Sequence, residues 1–237
     1  MAPARAGDDG GAERARLERV YHEYLSDPQY LKLYSGDAAR LELGRRWEEI
    51  ARVLTDQGLA CTTARVLDLG AGAGADCERF RRAGFRPDRI VAVDLMKEFA
   101  QGARRSYPWL NSLQANAARL PFRSGTFDLV YQATMISSVL DAAWRRQILE
   151  EACRVLAPGG LFLSYDTRYR NPWNRNTRPL TASEIRVSFA GCLVQTRSIT
   201  PIPPLVRLFG RYTRIAWGAI EMIPILRSHL LVTVRKP

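Results

Sequence analysis

The sequence predicts an α/β fold: a doubly wound, mostly parallel sheet of seven strands with helices on both faces. Three observations support this prediction. Short apolar runs alternate with helical patterns of about 10–15 residues, which is typical of βαβ units. The first run, Val66–Leu69, leads into a turn of alternating glycine and alanine that ends at Gly74. The length of 237 residues is enough for one such domain with a buried core.

The first 60 residues contain no predicted strand. Residues 1–12 are rich in glycine and charge, so we expect a disordered leader. Residues 12–25 and 37–57 show helical periodicity, with apolar side chains such as Leu17 and Trp47 on one side. Four tyrosines lie here, at positions 21, 24, 30 and 34. Packing explains such aromatics, but they also suit a helical lid over a ligand, and we predict that residues 13–60 form one.

Residues 61–237 hold the predicted sheet and form one expected domain. Gly84 and Pro108 end its first two helices, and Asp141 is a predicted N-cap for the third. Residues 158–160, Pro-Gly-Gly, form a predicted turn into the fifth strand. The first five strands are predicted at 65–69, 89–94, 110–115, 126–132 and 161–165, and the helices at 74–83, 96–107 and 142–156.

The character of the sequence changes after Asp166. Residues 167–179 are polar and too long for a simple connection. Thr181 and Glu184 form a capping-box pattern for a helix to about residue 190. Residues 192–200 and 229–234 are the last two predicted strands. Between them, residues 201–226 form an amphipathic, basic insert that we interpret as a cap over the functional edge of the sheet. An interfacial membrane helix has the same composition, so contact with a membrane surface stays open.

The charged residues, the cysteines and the absence of long apolar runs limit the partners and the location that we expect for this protein. The net charge is +11, but lysine occurs only at positions 32, 97 and 236, and the arginines are scattered among acids. This pattern indicates compositional bias, and we do not expect a nucleic-acid partner. The cysteines, at 61, 77, 153 and 192, are too far apart for a metal-ligand motif. There is no signal peptide and no apolar run of about 18 residues, so we expect a cytoplasmic protein. A homodimer remains open.

The glycine-rich turn predicts a nucleotide-type ligand. Residues 70–75 match a dinucleotide fingerprint, with Asp94 about 20 residues further on for a ribose. Asp68, however, would repel a pyrophosphate and attract the ammonium of an amino-acid-like cofactor.

The motifs together resemble class I S-adenosylmethionine-dependent methyltransferases, which have a Rossmann-like sheet. The resemblance rests on Asp-x-Gly-x-Gly-x-Gly at 68–74, on Asp94, and on the segments 116–122, 127–130 and 154–160. It implies S-adenosylmethionine as cofactor and S-adenosylhomocysteine as product. The cofactor contacts that it implies are Asp68 near the ammonium, Gly70, Ala71 and Gly72 against the nucleoside, Asp94 on the ribose, Leu95, Asn116 and Ala117 around the adenine, and Gln132 near the methionine part. Tyr34 of the predicted lid is a further expected cofactor contact. Asn116 stands where the family commonly has Asp, which puts the adenine contact in question.

The acceptor is expected to be a small molecule. Residues 131–134, Tyr-Gln-Ala-Thr, lack the pattern used on nucleic-acid bases, and no carboxylate cluster suggests a metal. We predict O-methylation of a sugar or secondary-metabolite hydroxyl, with Asp166 or His22 as candidate base. Predicted substrate contacts are Tyr21, Ser137, Ser138, Arg168, Asn171 and Trp173. N- or C-methylation of a similar molecule, or a non-catalytic cofactor-binding accessory role, are the alternatives.

Overall fold

The computed structural model describes residues 11–28, 36–172 and 174–237. Two helices, α1 (Gly11–Ser26) and α2 (Asp37–Asp56), precede the sheet. The helix α1 includes residues 11 and 12, which corrects the expected boundary of the leader, and residues 1–10 lie outside the described part. The structure thus contains two helices in the region 13–60. The role of this region as a lid stays a prediction.

Five strands and their connecting helices follow in the predicted order. They are β1 (Val66–Leu69), α3 (Ala75–Arg82), β2 (Ile90–Asp94), α4 (Lys97–Ser106), β3 (Asn111–Gln114), β4 (Phe127–Ala133), α5 (Ala142–Val155) and β5 (Leu156–Thr167). The Asp141 carboxylate accepts a hydrogen bond from the Trp144 amide at 2.7 Å, and this bond caps α5 as expected.

The last part of the chain contains α6 (Ala182–Ser188), β6 (Leu193–Pro201), α7 (Pro203–Arg207), α8 (Thr213–Glu221) and β7 (Arg227–Arg235). Thr181 and Glu184 form the capping box at the start of α6, since each side chain bonds the other's backbone amide. The helices α7 and α8 make up the insert between the last two strands. They have a small core of their own: Val206, Ala216, Trp217 and Ile220.

The predicted seven-stranded sheet is confirmed, in the order β3-β2-β1-β4-β5-β7-β6. The first five strands are parallel, and β7 runs antiparallel to both β5 and β6. Since β7 is reversed, β6 runs in the direction of β5. Both strands therefore end at the edge where β1, β2 and β4 end.

One predicted turn is wrong in detail. Residues 158–160 do not separate α5 from β5, because β5 already starts at Leu156 opposite Phe127. The register then jumps to Leu129 opposite Leu161, so residues 157–160 bulge out of the strand. Gly159, at φ +71°, donates its amide to the Lys236 carbonyl at 3.0 Å, which ties the bulge to the end of β7.

Both faces of the sheet are covered. One face packs against α5 and α6 through buried residues such as Leu67, Val130 and Phe162. The other packs against α2 and α3 through residues such as Val66 and Leu129. None of the helices in the described ranges is long and apolar enough to cross a bilayer.

Candidate functional site

A cavity of about 180 Å³ lies at the carboxyl ends of β1, β2, β3 and β4. This is where an open α/β sheet binds its ligands, since β1 and β4 meet where the strand order reverses. The cavity is lined by residues at the ends of three strands: Gly70 and Gly72 after β1, Asp94 at the end of β2 with Leu95 next to it, and Asn116 and Ala117 after β3. The other lining residues are Leu17, Tyr21, Val93, Met96, Phe99, Ala115, Ala133, Thr134, Met135, Ser138, Val139, Trp144 and Ile148. The structure thus brings together six predicted cofactor residues with Tyr21 and Ser138.

The glycine-rich turn forms one wall of this cavity. Gly70 has φ +67°, and a Cβ there would lie 2.3 Å from Met135 Cγ, so only glycine allows this contact. Gly72 has φ +54°, and a Cβ there would meet no atom within 4 Å. The turn is held by the amides of Gly70 and Ala71, which donate to the Val93 carbonyl at 2.9 and 3.1 Å. Ala71 supports the turn but does not line the cavity.

Asp94 is the carboxylate of the cavity. Its Oδ2 accepts from the Gly72 amide and its Oδ1 from the Met96 amide, both at 2.9 Å. Burial raises the pKa of Asp94, and the amide bonds act in the opposite direction. Each carboxylate oxygen can accept about two hydrogen bonds, so each keeps one lone pair for a ligand. A carboxylate fixed in this way can accept from two neighbouring hydroxyls.

Asp68 is buried at the end of β1 and does not line the cavity. Its Oδ2 accepts from Cys77 Sγ at 3.3 Å. Burial, followed by the negative charge of Asp76, raises its pKa, whereas Arg46 acts in the opposite direction. Arg46 binds both oxygens of Asp76 instead, at 2.6 and 2.8 Å. The carboxylate form of Asp68 is therefore poorly compensated by its neighbours, and a cationic group nearby would stabilise it.

The side of the cavity where adenine is predicted to bind is apolar except for the side-chain amide of Asn116. Leu95, Met96, Phe99 and Ala117 supply the apolar surface. Asn116 Oδ1 accepts from the Ala118 amide at 2.9 Å, which leaves one lone pair of that oxygen for a ligand donor.

Gln132, Ser137 and Asp166 form a buried polar network behind the cavity wall. Gln132 Nε2 donates to Asp166 Oδ2 at 3.2 Å and to Ser164 Oγ, while Gln132 Oε1 accepts from the Met135 amide at 3.0 Å. Asp166 also accepts from the amides of Ser137 at 3.1 Å and Thr167 at 2.8 Å. Burial raises the pKa of Asp166. None of the three residues lines the cavity. The network holds the segment after β4 that carries Met135 and Ser138, and direct ligand contact by these residues stays a prediction.

Helix α1 covers one side of the cavity with Leu17 and Tyr21, which line it. The Tyr21 and Ser138 hydroxyls are 3.1 Å apart, and Arg16 Nη2 donates to the Ser138 carbonyl at 2.5 Å. The Leu140 amide donates to Glu13 Oε1 at 2.5 Å. These bonds fix α1 across the edge of the sheet, although more than 100 residues separate the partners in sequence.

Other predicted residues lie away from the cavity. His22 is exposed on another side of α1, beside Lys97 and Gln114. Arg168 donates to the Pro224 carbonyl at 2.8 Å, and Asn171 is exposed on the loop after β5. Their expected positions beside the substrate are therefore not supported. Tyr34 and Trp173 fall outside the described residues.

Arg145 is the centre of a buried hydrogen-bond network that the sequence does not predict. Its side chain is 1% exposed and donates to the carbonyls of Ile136, Val139, Arg178 and Pro179 and to both carboxylate oxygens of Glu184. These bonds connect the segment after β4 to the start of α6. Met135, Phe99 and Trp144 were missed as lining residues, because an apolar residue after a strand or on a helix is equally typical of core.

No group of histidine, cysteine and carboxylate side chains in the described ranges is arranged to hold a metal ion. The chemistry of the cavity is that of a nucleoside site: a carboxylate for hydroxyls, an apolar slot for a base and an open glycine turn.

Comparisons with known proteins agree with this geometry. Residues 67–164 match the family model described as a methyltransferase domain. A demethylmenaquinone methyltransferase from Streptomyces avermitilis is 30% identical over 151 residues, which are 62% of this chain and 61% of that protein. A malonyl-[acyl-carrier protein] O-methyltransferase from Geobacter sulfurreducens is 33% identical over 156 residues, covering 63% of this chain and 52% of that protein. The chain thus spans about three fifths of the length of the first of these relatives.

The fold is also shared with solved structures. The S-adenosylmethionine-dependent methyltransferase from Mesorhizobium loti matches with a TM-score of 0.57 at 16% identity, over 78% of this chain and 96% of that one. A methyltransferase from Aquifex aeolicus matches with a TM-score of 0.53 at 17% identity, over 94% and 97% of the two chains. The family match thus places a methyltransferase domain at residues 67–164, and the chain shares its fold with solved S-adenosylmethionine-dependent methyltransferases.

Proposed function

We propose that this chain transfers a methyl group from S-adenosylmethionine to a small-molecule acceptor and releases S-adenosylhomocysteine. The observation that carries the proposal is Asp94, a buried carboxylate whose two oxygens each keep a free lone pair beside an open glycine turn. Asp94 accepts from the two ribose hydroxyls, and Leu95, Ala117 and Asn116 surround the adenine.

The residues around the turn suit the charged part of the cofactor. Burial and the absence of a paired cation in the described ranges favour the neutral acid at Asp68, and the ammonium of the cofactor, directly or through water, favours its carboxylate form. The sulfonium supplies a reactive methyl group when the cofactor is bound, so the protein's main task is alignment. Alignment contributes about 7–11 kcal/mol in favourable systems.

We propose a hydroxyl of a sugar or secondary metabolite as the methyl acceptor. The acceptor side has two hydroxyls, those of Tyr21 and Ser138, and an apolar wall from Val139, Trp144 and Ile148. The two candidate bases do not lie in this space: Asp166 is buried in its network and His22 is exposed. In this proposal the O–CH3 bond forms as the S–CH3 bond of the sulfonium breaks, and the hydroxyl proton passes to solvent water. Asp166 acts as a positioning residue that shapes the segment after β4, and His22 has no role in the chemistry.

A carbon acceptor of the quinone type is the second candidate. The relative from Streptomyces avermitilis is named for demethylmenaquinone, and a relative from Hahella chejuensis is named as a ubiquinone/menaquinone C-methyltransferase. The apolar wall suits such a ring. Incubation with cofactor labelled in the methyl group, followed by mass spectrometry of sugar, phenol and quinone acceptors, separates the candidates, because an O-methyl and a C-methyl product fragment differently. Cofactor binding without transfer to any of them would favour the accessory role.

The cofactor site itself is tested by Asp94→Asn. Replacing the carboxylate removes at least one charge-assisted hydrogen bond to the ribose, which contributes about 1.5–3 kcal/mol. We expect the Kd for S-adenosylhomocysteine, measured by calorimetry, to rise by about 10- to 100-fold.

Asp88→Asn is the matched control, because Asp88 is exposed just before the opposite end of β2. It should leave the Kd unchanged. Equal affinity of a folded Asp94→Asn protein and the control would exclude the proposed ribose contact.

A further inference from the structure

Exposed apolar side chains concentrate in one part of the molecule, the insert between β6 and β7. Seven large apolar residues between positions 208 and 225 are 46–81% exposed, and elsewhere in the described ranges only four others are comparably exposed. We call these seven residues the insert patch: Leu208, Phe209, Tyr212, Ile215, Met222, Ile223 and Ile225. A patch of this density on a protein surface marks a contact surface.

Helix α8 shows that this exposure follows from the sequence. Its inner side packs Ala216, Trp217 and Ile220 into the core of the insert. Its outer side carries Ile215, which is 74% exposed, and leads to Met222. A helix that is apolar on both sides is normally covered on both sides. The outer side of α8 therefore requires a second apolar environment.

The backbone under the patch is held in place. Arg168 Nη1 donates to the Pro224 carbonyl at 2.8 Å, and the Tyr169 hydroxyl donates to the Ile225 carbonyl at 3.1 Å. Arg227 Nε donates to the Glu221 carbonyl at 2.7 Å. The apolar side chains are thus presented on a fixed scaffold, and the loop after β5 contributes to it.

The charge of the segment favours an anionic surface as the partner of the insert patch. Between positions 203 and 228 the sequence contains four arginines, at 207, 211, 214 and 227, and one acid, Glu221. Arginine with tyrosine and large aliphatic residues is the composition of segments that lie in the interface of an anionic bilayer. A second copy of the chain would bring two such basic segments together, which like-charge repulsion disfavours. The patch is also spread over two turns and a helix, and none of it lines the cavity described above.

We propose that the insert patch docks the protein on an anionic lipid surface. Its apolar side chains enter the interface, and the positive charge of the segment attracts it to the anionic headgroups. The patch lies at the same edge of the sheet as the cavity, because β6 ends there and β7 begins there. Docking therefore turns the carboxyl edge of the sheet towards the membrane. The proposal does not depend on the acceptor or on methyl transfer.

Flotation of the whole chain with vesicles tests this proposal. One set is phosphatidylcholine alone, and the other contains about one third phosphatidylglycerol. We expect binding to the anionic set that weakens as salt rises, since headgroup attraction is screened. The variant Leu208→Ser/Ile225→Ser should bind the anionic vesicles at least about tenfold more weakly.

The matched control is Val187→Ser/Leu193→Ser, because both residues are 64% exposed but lie outside the patch. It should bind as the parent does, and thermal unfolding should show that both variants are folded. Absence of parent binding to anionic vesicles, or equal loss in the patch variant and the control, would overturn the proposal. So would a dimer, seen by sedimentation equilibrium, that is lost with the patch variant while no form of the chain floats.

Discussion

His229 offers a direct test of how the buried polar part of the structure responds to pH. It lies at the start of β7, with its ring stacked on Tyr165 at a centroid distance of 4.5 Å and an interplanar angle of 7°. Its Nδ1 is 2.9 Å from Ser228 Oγ. Burial, reinforced by the positive charge of Arg46, lowers the pKa of His229 to about 3. The imidazole is therefore neutral in the folded protein throughout the ordinary pH range.

The sign of the effect follows from proton binding. In the unfolded chain His229 has its ordinary pKa of about 6.5, so the unfolded state gains a proton as the pH falls and the folded state does not. His229 therefore contributes a decrease in the free energy of unfolding as the pH falls below about 6.5. Between pH 7.5 and 4.5 this contribution is about 3 kcal/mol.

The variant His229→Gln isolates this contribution. Glutamine keeps a polar group for Ser228 but does not titrate. The unfolding free energy of the variant should therefore fall by about 3 kcal/mol less than that of the parent between pH 7.5 and 4.5. The measurement is urea unfolding at pH 7.5 and at pH 4.5. Loss of the ring stacking lowers the stability of the variant equally at both values and cancels in the comparison.

The other histidine of the chain supplies the control. His22→Gln makes the same substitution at an exposed position, and the same change of pH profile in both variants would show that the effect does not come from the buried ring. Parallel pH profiles for His229→Gln and the parent would refute the burial of a neutral imidazole at this position.

Two further stability predictions concern the frame of the cavity. Gly70→Ala places an alanine at a φ of +67° and in contact with Met135, whereas Gly58→Ala places one at a φ of +64° with open space around it. Chemical unfolding should show that Gly70→Ala lowers the unfolding free energy by about 1–3 kcal/mol more than Gly58→Ala. Equal losses would contradict the packing of Met135 against Gly70. Arg145→Met leaves several buried carbonyls without their donor and removes one of the two arginines that pair with the partly exposed Glu184. It should lower the unfolding free energy by about 3–5 kcal/mol, whereas Arg146→Met, at the exposed neighbouring position, should change it by less than about 1 kcal/mol. Similar losses in the two arginine variants would show that the Arg145 network does not form.

The positions of Gly72 and Asp94 could be predicted because they depend on local sequence. Each follows a short apolar strand, and parallel strands bring their carboxyl ends to one edge of the sheet. The spacing between them was sufficient to expect both at one ligand, and the Gly72 amide does donate to Asp94 at 2.9 Å.

The role of Asp166 could not be predicted in the same way. Its place at the end of β5 follows from the strand pattern, but successive side chains in a strand point to opposite faces. Tyr165 packs with the residues of α2 and α3, while Asp166 turns towards Gln132 and Ser137. The position of a strand end is therefore easier to predict than the contacts of its last side chain.

Arg145 and Arg146 show the limit of sequence patterns. They are adjacent and chemically identical, yet one is buried and the other is exposed with Glu150. The difference arises from Arg178, Pro179 and Glu184, which lie 33–39 residues further along the chain. Helical periodicity contains no information about such a partner.

The position of β7 has a consequence for synthesis of the chain. β6 is at the edge of the sheet, and its neighbour is β7, which follows it in sequence after the insert. On the ribosome, β6 therefore emerges before the strand that pairs with it, while β5 also has an open side. The parallel half of the sheet can form first, but β6 and the apolar insert must wait for residues 227–235. During that interval this part of the nascent chain is most exposed to aggregation and depends most on chaperones.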